Sequence, residues 1–174
     1  MEILELSLER FRNYASQTVA FHPVCNVICG ENAQGKTNLL EAMVYLSTGK
    51  AFRTRKEQEL IRFGADFADL EADVLSKNRD KTLRAVLFPG RKPRQLYLNG
   101  VKQKNFTTMA GELTTVLFCP EDLLILKTGA EKRRKLLDNA LCQLRPGYAK
   151  ALSEYQRLLE HKSRILKAWR EKPV

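Results

Sequence analysis

A chain of 174 residues with 44% apolar side chains is long enough to bury a real core, so one domain, or one plus part of another, is expected. Lys and Arg outnumber Asp and Glu by 30 to 20, a net charge of +10 that points to an anionic partner, nucleic acid first. No run of about 20 apolar residues occurs, so no membrane-spanning helix is expected. The start Met1-Glu2-Ile3-Leu4-Glu5 lacks the basic-then-apolar layout of a secretory signal, and a cytoplasmic protein is expected.

Glu2 to Leu8 alternates charge with Leu4, Leu6 and Leu8, the pattern of a half-buried strand. Arg10, Phe11, Arg12, Asn13 and Tyr14 follow, then a second short strand over residues 18–21. This pair reads as a hairpin covering the base of a bound nucleotide, with Arg10, Arg12 and Asn13 as contacts to base and ribose; a solvated turn fits the spacing equally well.

Residues 24–29 form a short apolar run that predicts a buried strand, and Gly30 ends it. Next come Glu31, Asn32, Ala33, Gln34, Gly35, Lys36 and Thr37, then Asn38 and a helix carrying Leu39, Leu40, Met43 and Leu46 at helical spacing. Strand, loop G-x-x-x-x-G-K-[ST] and helix together make a phosphate-binding loop. Gly30 and Gly35 permit the sharp turns that aim backbone N–H groups at one anion, and the helix adds the positive end of its dipole. Lys36 is expected to reach the β- and γ-phosphates of a nucleoside triphosphate, and the Thr37 hydroxyl to ligate Mg²⁺. Of four cysteines, Cys25 and Cys29 fall in the apolar run, while Cys119 and Cys142 are isolated. With His22 and His161 scattered, no metal-ligand spacing appears, and reduced core thiols are expected.

Gly49 is a helix stop, so Leu46-Ser47-Thr48-Gly49-Lys50 is not a second nucleotide signature. Lys50, Arg53, Arg55 and Lys56 then place four cations in seven residues around Phe52, a loop suited either to DNA phosphate or to a triphosphate. Residues 66–76, 82–88 and 94–98 read as strands, with Asn99-Gly100 a two-residue hairpin turn, giving a mostly antiparallel sheet of three or four strands. Lys77, Arg79, Lys81, Arg84, Arg91, Lys92 and Arg94 decorate its turns and edges.

Residues 114–119 read as a buried strand ending at Pro120, Glu121 and Asp122; the two acids either open a helix over 122–127 or face the γ-phosphate. From Gly129 the pattern turns helical. One helix opens at Glu131, Pro146-Gly147 breaks it, and a long helix runs from Tyr148 to about Arg170 with Leu152, Tyr155, Leu159, Leu166 and Trp169 as the seam of a coiled-coil arm, a pattern that an ordinary bundle helix also satisfies.

The opening LxLxRFRNY, the loop GENAQGKTNLLEA, the stretches GKAFRTRK and FCPEDLLILKTGAEKRRKLLD and the basic arm helix together resemble the N-terminal half of the RecF family of bacterial DNA recombination and repair proteins. That resemblance implies an α/β P-loop NTPase of the ABC type, related to chromosome-condensation (SMC) heads. It would have an ATP-binding lobe with an antiparallel β subdomain over 1–119 and a helical lid and arm over 120–174. The implied function is an ATP-gated dimeric clamp on double-stranded and gapped DNA, a slow DNA-stimulated ATPase. It would work with RecO and RecR in recombinational repair, replication restart and the SOS response. By the resemblance, Gly30, Glu31, Asn32, Ala33, Gln34, Gly35, Lys36, Thr37 and Asn38 bind ATP, Arg12 and Asn13 lie at the adenosine, and Thr37 holds Mg²⁺. Arg53 is the arginine that couples DNA to hydrolysis, and Lys50, Arg53, Arg55 and Lys56 are DNA contacts. Its signature motif, Walker B acids and dimer-closing residues belong to a second half, so this chain holds one face of the site, and negligible ATPase and weak dimerisation are expected of it alone. The competing readings are a P-loop small-molecule or nucleotide kinase and a nucleic-acid-binding module with a vestigial loop.

Overall fold

The computed structural model describes residues 1–54, 56–120, 122 and 129–171. Six strands form one sheet: β1 (Glu2–Phe11), β2 (Tyr14–Ala20), β3 (Ala68–Ser76), β4 (Arg79–Leu87), β5 (Gln95–Leu98) and β6 (Val101–Gln103). Their order is β2-β1-β3-β4-β5-β6, and every pairing is antiparallel. The expected three or four strands become six because β1 pairs with β3 on one side and β2 on the other, so the N-terminal hairpin joins the later strands.

Alternation decides which face is dry. Along β3, Ala68, Leu70, Ala72 and Val74 are buried, while Asp69, Glu71 and Asp73 point to the other face. There Asp69 accepts hydrogen bonds from both Nε and Nη2 of Arg84 in β4, and Asp73 accepts one from Thr82 at 2.6 Å. In β1, Leu6, Leu8 and Phe11 enter the core, but Leu4 does not. The β1–β3 register slips between Ile3 and Glu5, and this bulge sends Leu4 outward at 41% exposure. The Asn99-Gly100 turn forms as the sequence predicts, with both residues at positive φ (50° and 75°) closing Leu98 onto Val101.

Helix α1 (Lys36–Thr48) lays Leu39, Ala42, Tyr45 and Leu46 on the dry face, against β3 and β4. Gly49 ends it at φ 69°, its N–H bonded to the carbonyl of Tyr45 at 2.7 Å. Ser47 is buried and structural, donating to the Leu113 carbonyl at 2.9 Å. Helices α2 (Ala130–Leu144) and α3 (Pro146–Glu171) are separated by Arg145 alone, with Pro146 opening the second helix as the residue that lacks an N–H to lose. Gln143 of α2 joins this helical pair to the first lobe: its amide accepts from the Thr115 N–H at 2.6 Å and donates to the Thr115 carbonyl at 3.1 Å.

Two expected strands do not form. Residues 24–29 join no strand, with Val24 and Val27 each 85% exposed, and residues 114–119 leave Val116 fully exposed. Both have strand composition, yet no strand among the described residues lies beside either to take their backbone hydrogen bonds. Cys25 and Cys29 are therefore exposed rather than core thiols, and no disulfide forms among the described residues. The seam of α3 is also uncovered, with Tyr155, Leu159, Leu166 and Trp169 exposed. The helix expected over 122–127 lies outside the described residues apart from Asp122. No helix among the described residues is long and apolar enough to cross a membrane.

A Cβ at Gly49 would stand 2.4 Å from the Phe106 ring, whereas one at Gly100 would meet nothing within 4 Å. Gly49→Ala combines a clash with backbone strain and should cost about 2–3 kcal/mol, against about 1 kcal/mol of strain alone for Gly100→Ala. Urea midpoints of the two full-length variants measure the difference.

Candidate functional site: a phosphate loop roofed by a hairpin turn

The loop from Gly30 to Gly35 turns as its glycines allow. Gly30 and Gly35 have φ of 147° and 103°, and Ala33 sits at φ 65° between them. Gly35 is the N-cap of α1, whose first turn carries no capping side chain and no acid, leaving its N–H groups and dipole for an anion. Lys36 folds back over the loop, its ammonium donating to the carbonyls of Gly30 at 2.8 Å and Glu31 at 2.6 Å. An ammonium has three donors, so one remains for a phosphate oxygen. The Thr37 side chain is exposed on the same cleft, as a hydroxyl offered to a cation must be. This donor set fits a triphosphate, with Thr37 and the phosphates the natural holders of a hard cation such as Mg²⁺.

Above the loop sits the β1–β2 turn. Asn13 donates from Nδ2 to the Gln34 carbonyl at 3.0 Å and accepts at Oδ1 from Asn38 Nδ2 at 2.8 Å. Tyr14 donates its hydroxyl proton to the Gly35 carbonyl at 3.1 Å. A Cβ on Gly35 would lie 2.6 Å from the Asn13 amide, so only glycine lets the turn come this close. The turn is itself strained, with Arg10 and Arg12 both at φ 52°. Backbone hydrogen bonds to residues 60–62 hold it there: the Arg12 N–H to the Leu60 carbonyl at 2.7 Å and the Arg62 N–H to the Arg10 carbonyl at 2.8 Å.

Arg12 forms a two-pronged ion pair with Glu41 of α1, at 2.9 Å and 3.1 Å. Glu41 has no solvent exposure, and its charge is tolerable only because this guanidinium meets it. Sequence reasoning did not single out Glu41. The available signal was its place four residues before Tyr45, on the stripe that packs against the sheet.

These parts enclose an open cleft of about 980 Å³. Arg12, Asn13, Asn32, Ala33, Gly35, Lys36, Thr37, Asn38 and Arg53 all line it, whereas Gly30, Glu31 and Gln34 belong to the loop without lining the cleft. Arg62 and Phe63 complete the wall and were not singled out from the sequence; the Phe63 ring is fully exposed. Arg10 is not at the site. It pairs with Asp66 at 2.6 Å, stacks on Phe67 at 4.3 Å, and lines a smaller neighbouring hollow, because its side chain leaves β1 on the opposite side of the turn from Arg12. Arg53 donates to Asn38 Oδ1 at 2.9 Å; Lys50 and Lys56 are exposed nearby in sequence, and Arg55 lies outside the described residues. Asp122 takes the N–H of Cys119 at 2.8 Å, the local turn-capping role, and Glu121 lies outside the described residues.

A family profile described as an AAA domain matches residues 5–172. This chain belongs to that family. It is 41% identical over 167 residues to the DNA replication and repair protein RecF of Staphylococcus aureus (strain JH9), an alignment spanning 96% of this chain and 45% of the relative. The structure superposes on the recombination mediator protein RecF-ATPrS of the RecFOR pathway with a TM-score of 0.91 at 32% identity, over 99% of this chain and 46% of that one. A similar match, TM-score 0.90 at 33% identity, is found to RecF-ATP. The SMC head domain from Thermotoga maritima shares the fold over 60% of this chain, with a TM-score of 0.51 at 22% identity. The chain is thus similar to the N-terminal half of RecF and spans about half the length of the relatives it matches.

Glu41→Ala should cost about 3 kcal/mol, because it leaves the partly buried Arg12 guanidinium without its counter-charge. Urea unfolding of the full-length variant measures it, and Arg12→Ala, which strands the buried carboxylate, should cost at least as much.

Proposed function

We propose that this chain is the ATP-gripping face of a RecF-type DNA repair ATPase, one that binds DNA in an ATP-dependent manner. The observation that carries the reading is the Lys36 ammonium, held by two loop carbonyls at the uncapped start of α1 with one donor left for phosphate. Lys36, Asn38 and the loop amides hold the triphosphate, Thr37 holds Mg²⁺, and Arg12, Asn13 and Phe63 receive the adenosine. ATP binding by the similar RecF structures supports this assignment.

The basic segment of Lys50, Arg53, Arg55 and Lys56 serves the DNA backbone, with Arg53 reporting that contact to the nucleotide through Asn38. A net charge of +10 favours such a polyanion and makes its binding salt-dependent. The uncovered runs 24–29 and 114–119 and the seam of α3 are surfaces on which the remainder of a longer chain would pack. Such a chain would close over ATP as a homodimer in the cytoplasm and work with RecO and RecR in recombinational repair and the SOS response.

The full-length protein should bind duplex and gapped DNA more tightly with ATP than without, and Lys36→Ala should abolish that gain together with ATP binding, as read by filter binding and a fluorescent ATP analogue. ATP consumption driven by a metabolite and indifferent to DNA would favour a kinase instead. DNA binding unaltered by Lys36→Ala would favour a module whose loop is vestigial. Arg53→Ala should lower DNA-stimulated turnover more than ATP affinity; equal loss of both would remove the coupling role.

A further inference from the structure

We propose that Arg94 is the positioning residue that closes the basic segment 50–56 at both of its ends and so sets Arg53 over the phosphate loop. The proposal rests on the ATP reading above and concerns a residue that touches neither nucleotide nor loop.

Arg94 stands just before β5, and its Nη1 group reaches the carbonyl of Gly49 and the hydroxyl of Tyr45, each at 3.2 Å, and the carboxylate of Glu57. Gly49 is the last residue before the basic segment and Glu57 the first after it, so one guanidinium joins the two points where the segment leaves and rejoins the fold. The rest of the socket is shaped to hold that guanidinium. Phe106 lies under it at 4.6 Å, meets Tyr45 edge to face at 5.5 Å, and fills the space a side chain at Gly49 would need. Tyr45 is buried, which raises its pKa, so the phenol stays protonated and donates to Glu57 at 3.0 Å.

The segment has reason to open. Its four cations repel one another, and a loop with free ends samples many conformations. Pinned at Gly49 and Glu57, it presents Arg53 to Asn38 at 2.9 Å, and Asn38 in turn holds Asn13 at 2.8 Å above Gly35. The Arg53–Asn38 contact is a single exposed hydrogen bond, worth little unless the backbone carrying Arg53 is already in place. All three contacts come from Nη1, so lysine keeps the charge but lacks the guanidinium carbon that sits over the Phe106 ring, and its compact, strongly hydrated ammonium is not held by that ring in reach of both Gly49 and Glu57.

The test uses the full-length protein and four variants: Arg53→Ala, Arg94→Ala, Arg94→Lys and the double variant Arg53→Ala/Arg94→Ala. Arg94→Ala should lower DNA-stimulated turnover about tenfold while ATP affinity stays within about threefold, and the double variant should be no slower than Arg53→Ala alone, since the two residues act as one unit. Arg94→Lys, which keeps the charge and is expected to fold, should still lose stimulation and show faster amide exchange over 50–56. Additive losses in the double variant, or full stimulation in Arg94→Lys, would overturn the proposal. So would parallel loss of ATP affinity and stimulation in both Arg94 variants, which would reduce Arg94 to a structural brace. Failure of the underlying reading looks different: Lys36→Ala would then retain ATP binding, whatever Arg94 does.

Discussion

A carboxylate with no access to water must be met by an opposite charge, and in this molecule that requirement ties the N-terminal hairpin to the phosphate-loop helix. Glu41 sits on the buried side of α1, and Arg12 reaches it from the β1–β2 turn with two hydrogen bonds. The pair fixes the distance between turn and helix. Once that distance is set, Asn13 falls on the Gln34 carbonyl, Tyr14 on the Gly35 carbonyl, and no side chain larger than hydrogen fits at residue 35. The backbone strain at Arg12 is sustained because the turn is held from three sides: by Glu41, by the Leu60 carbonyl and by the loop beneath it.

The sheet serves as the rigid base for this arrangement. Its dry face accepts Leu39, Ala42, Tyr45 and Leu46 from α1, and its wet face carries the Arg84–Asp69 pair and its neighbours, so the helix can sit on one side only. The cleft is built mostly from three segments distant in sequence, the turn at 12–13, the loop and helix start at 32–38, and residues within 58–65 that follow the basic segment, with Arg53 and Pro89 added from elsewhere. Arg94 and Phe106, from a fourth and fifth region, fix where that basic segment begins and ends. A site made this way is precise where its parts interlock and permissive where one hydrogen bond, such as Arg53 to Asn38, completes it.

Much of this was legible in the residues. The glycine spacing around Lys36 specified a phosphate loop because only that chemistry needs two hydrogen-only positions, a lysine and a hydroxyl in that order at the start of a helix. The Asn99-Gly100 turn and the Gly49 stop were local decisions made by backbone sterics and came out as read, whereas the break expected at Pro146-Gly147 falls at Arg145, with Pro146 and Gly147 already in the second helix. Periodicity also found β1, β3 and β4, although it could not see the bulge that turns Leu4 outward, since a register slip depends on the partner strand.

By itself, then, the sequence determined the anion-binding loop, the helix behind it, the antiparallel hairpins and the excess of positive charge, all of which are set within a few residues of chain or by composition. Only the tertiary structure decided that Glu41 is buried and answered by Arg12, that Arg10 turns away from the cleft while Phe63 faces it, and that Arg94 joins both ends of the basic segment. It also decided that residues 24–29 and 114–119, apolar enough for core strands, join no strand among the described residues, the first run exposed and the second half-exposed. The reason is the same in each case: an apolar or charged side chain states what kind of neighbour it needs, and whether that neighbour is present depends on contacts between residues far apart in the chain.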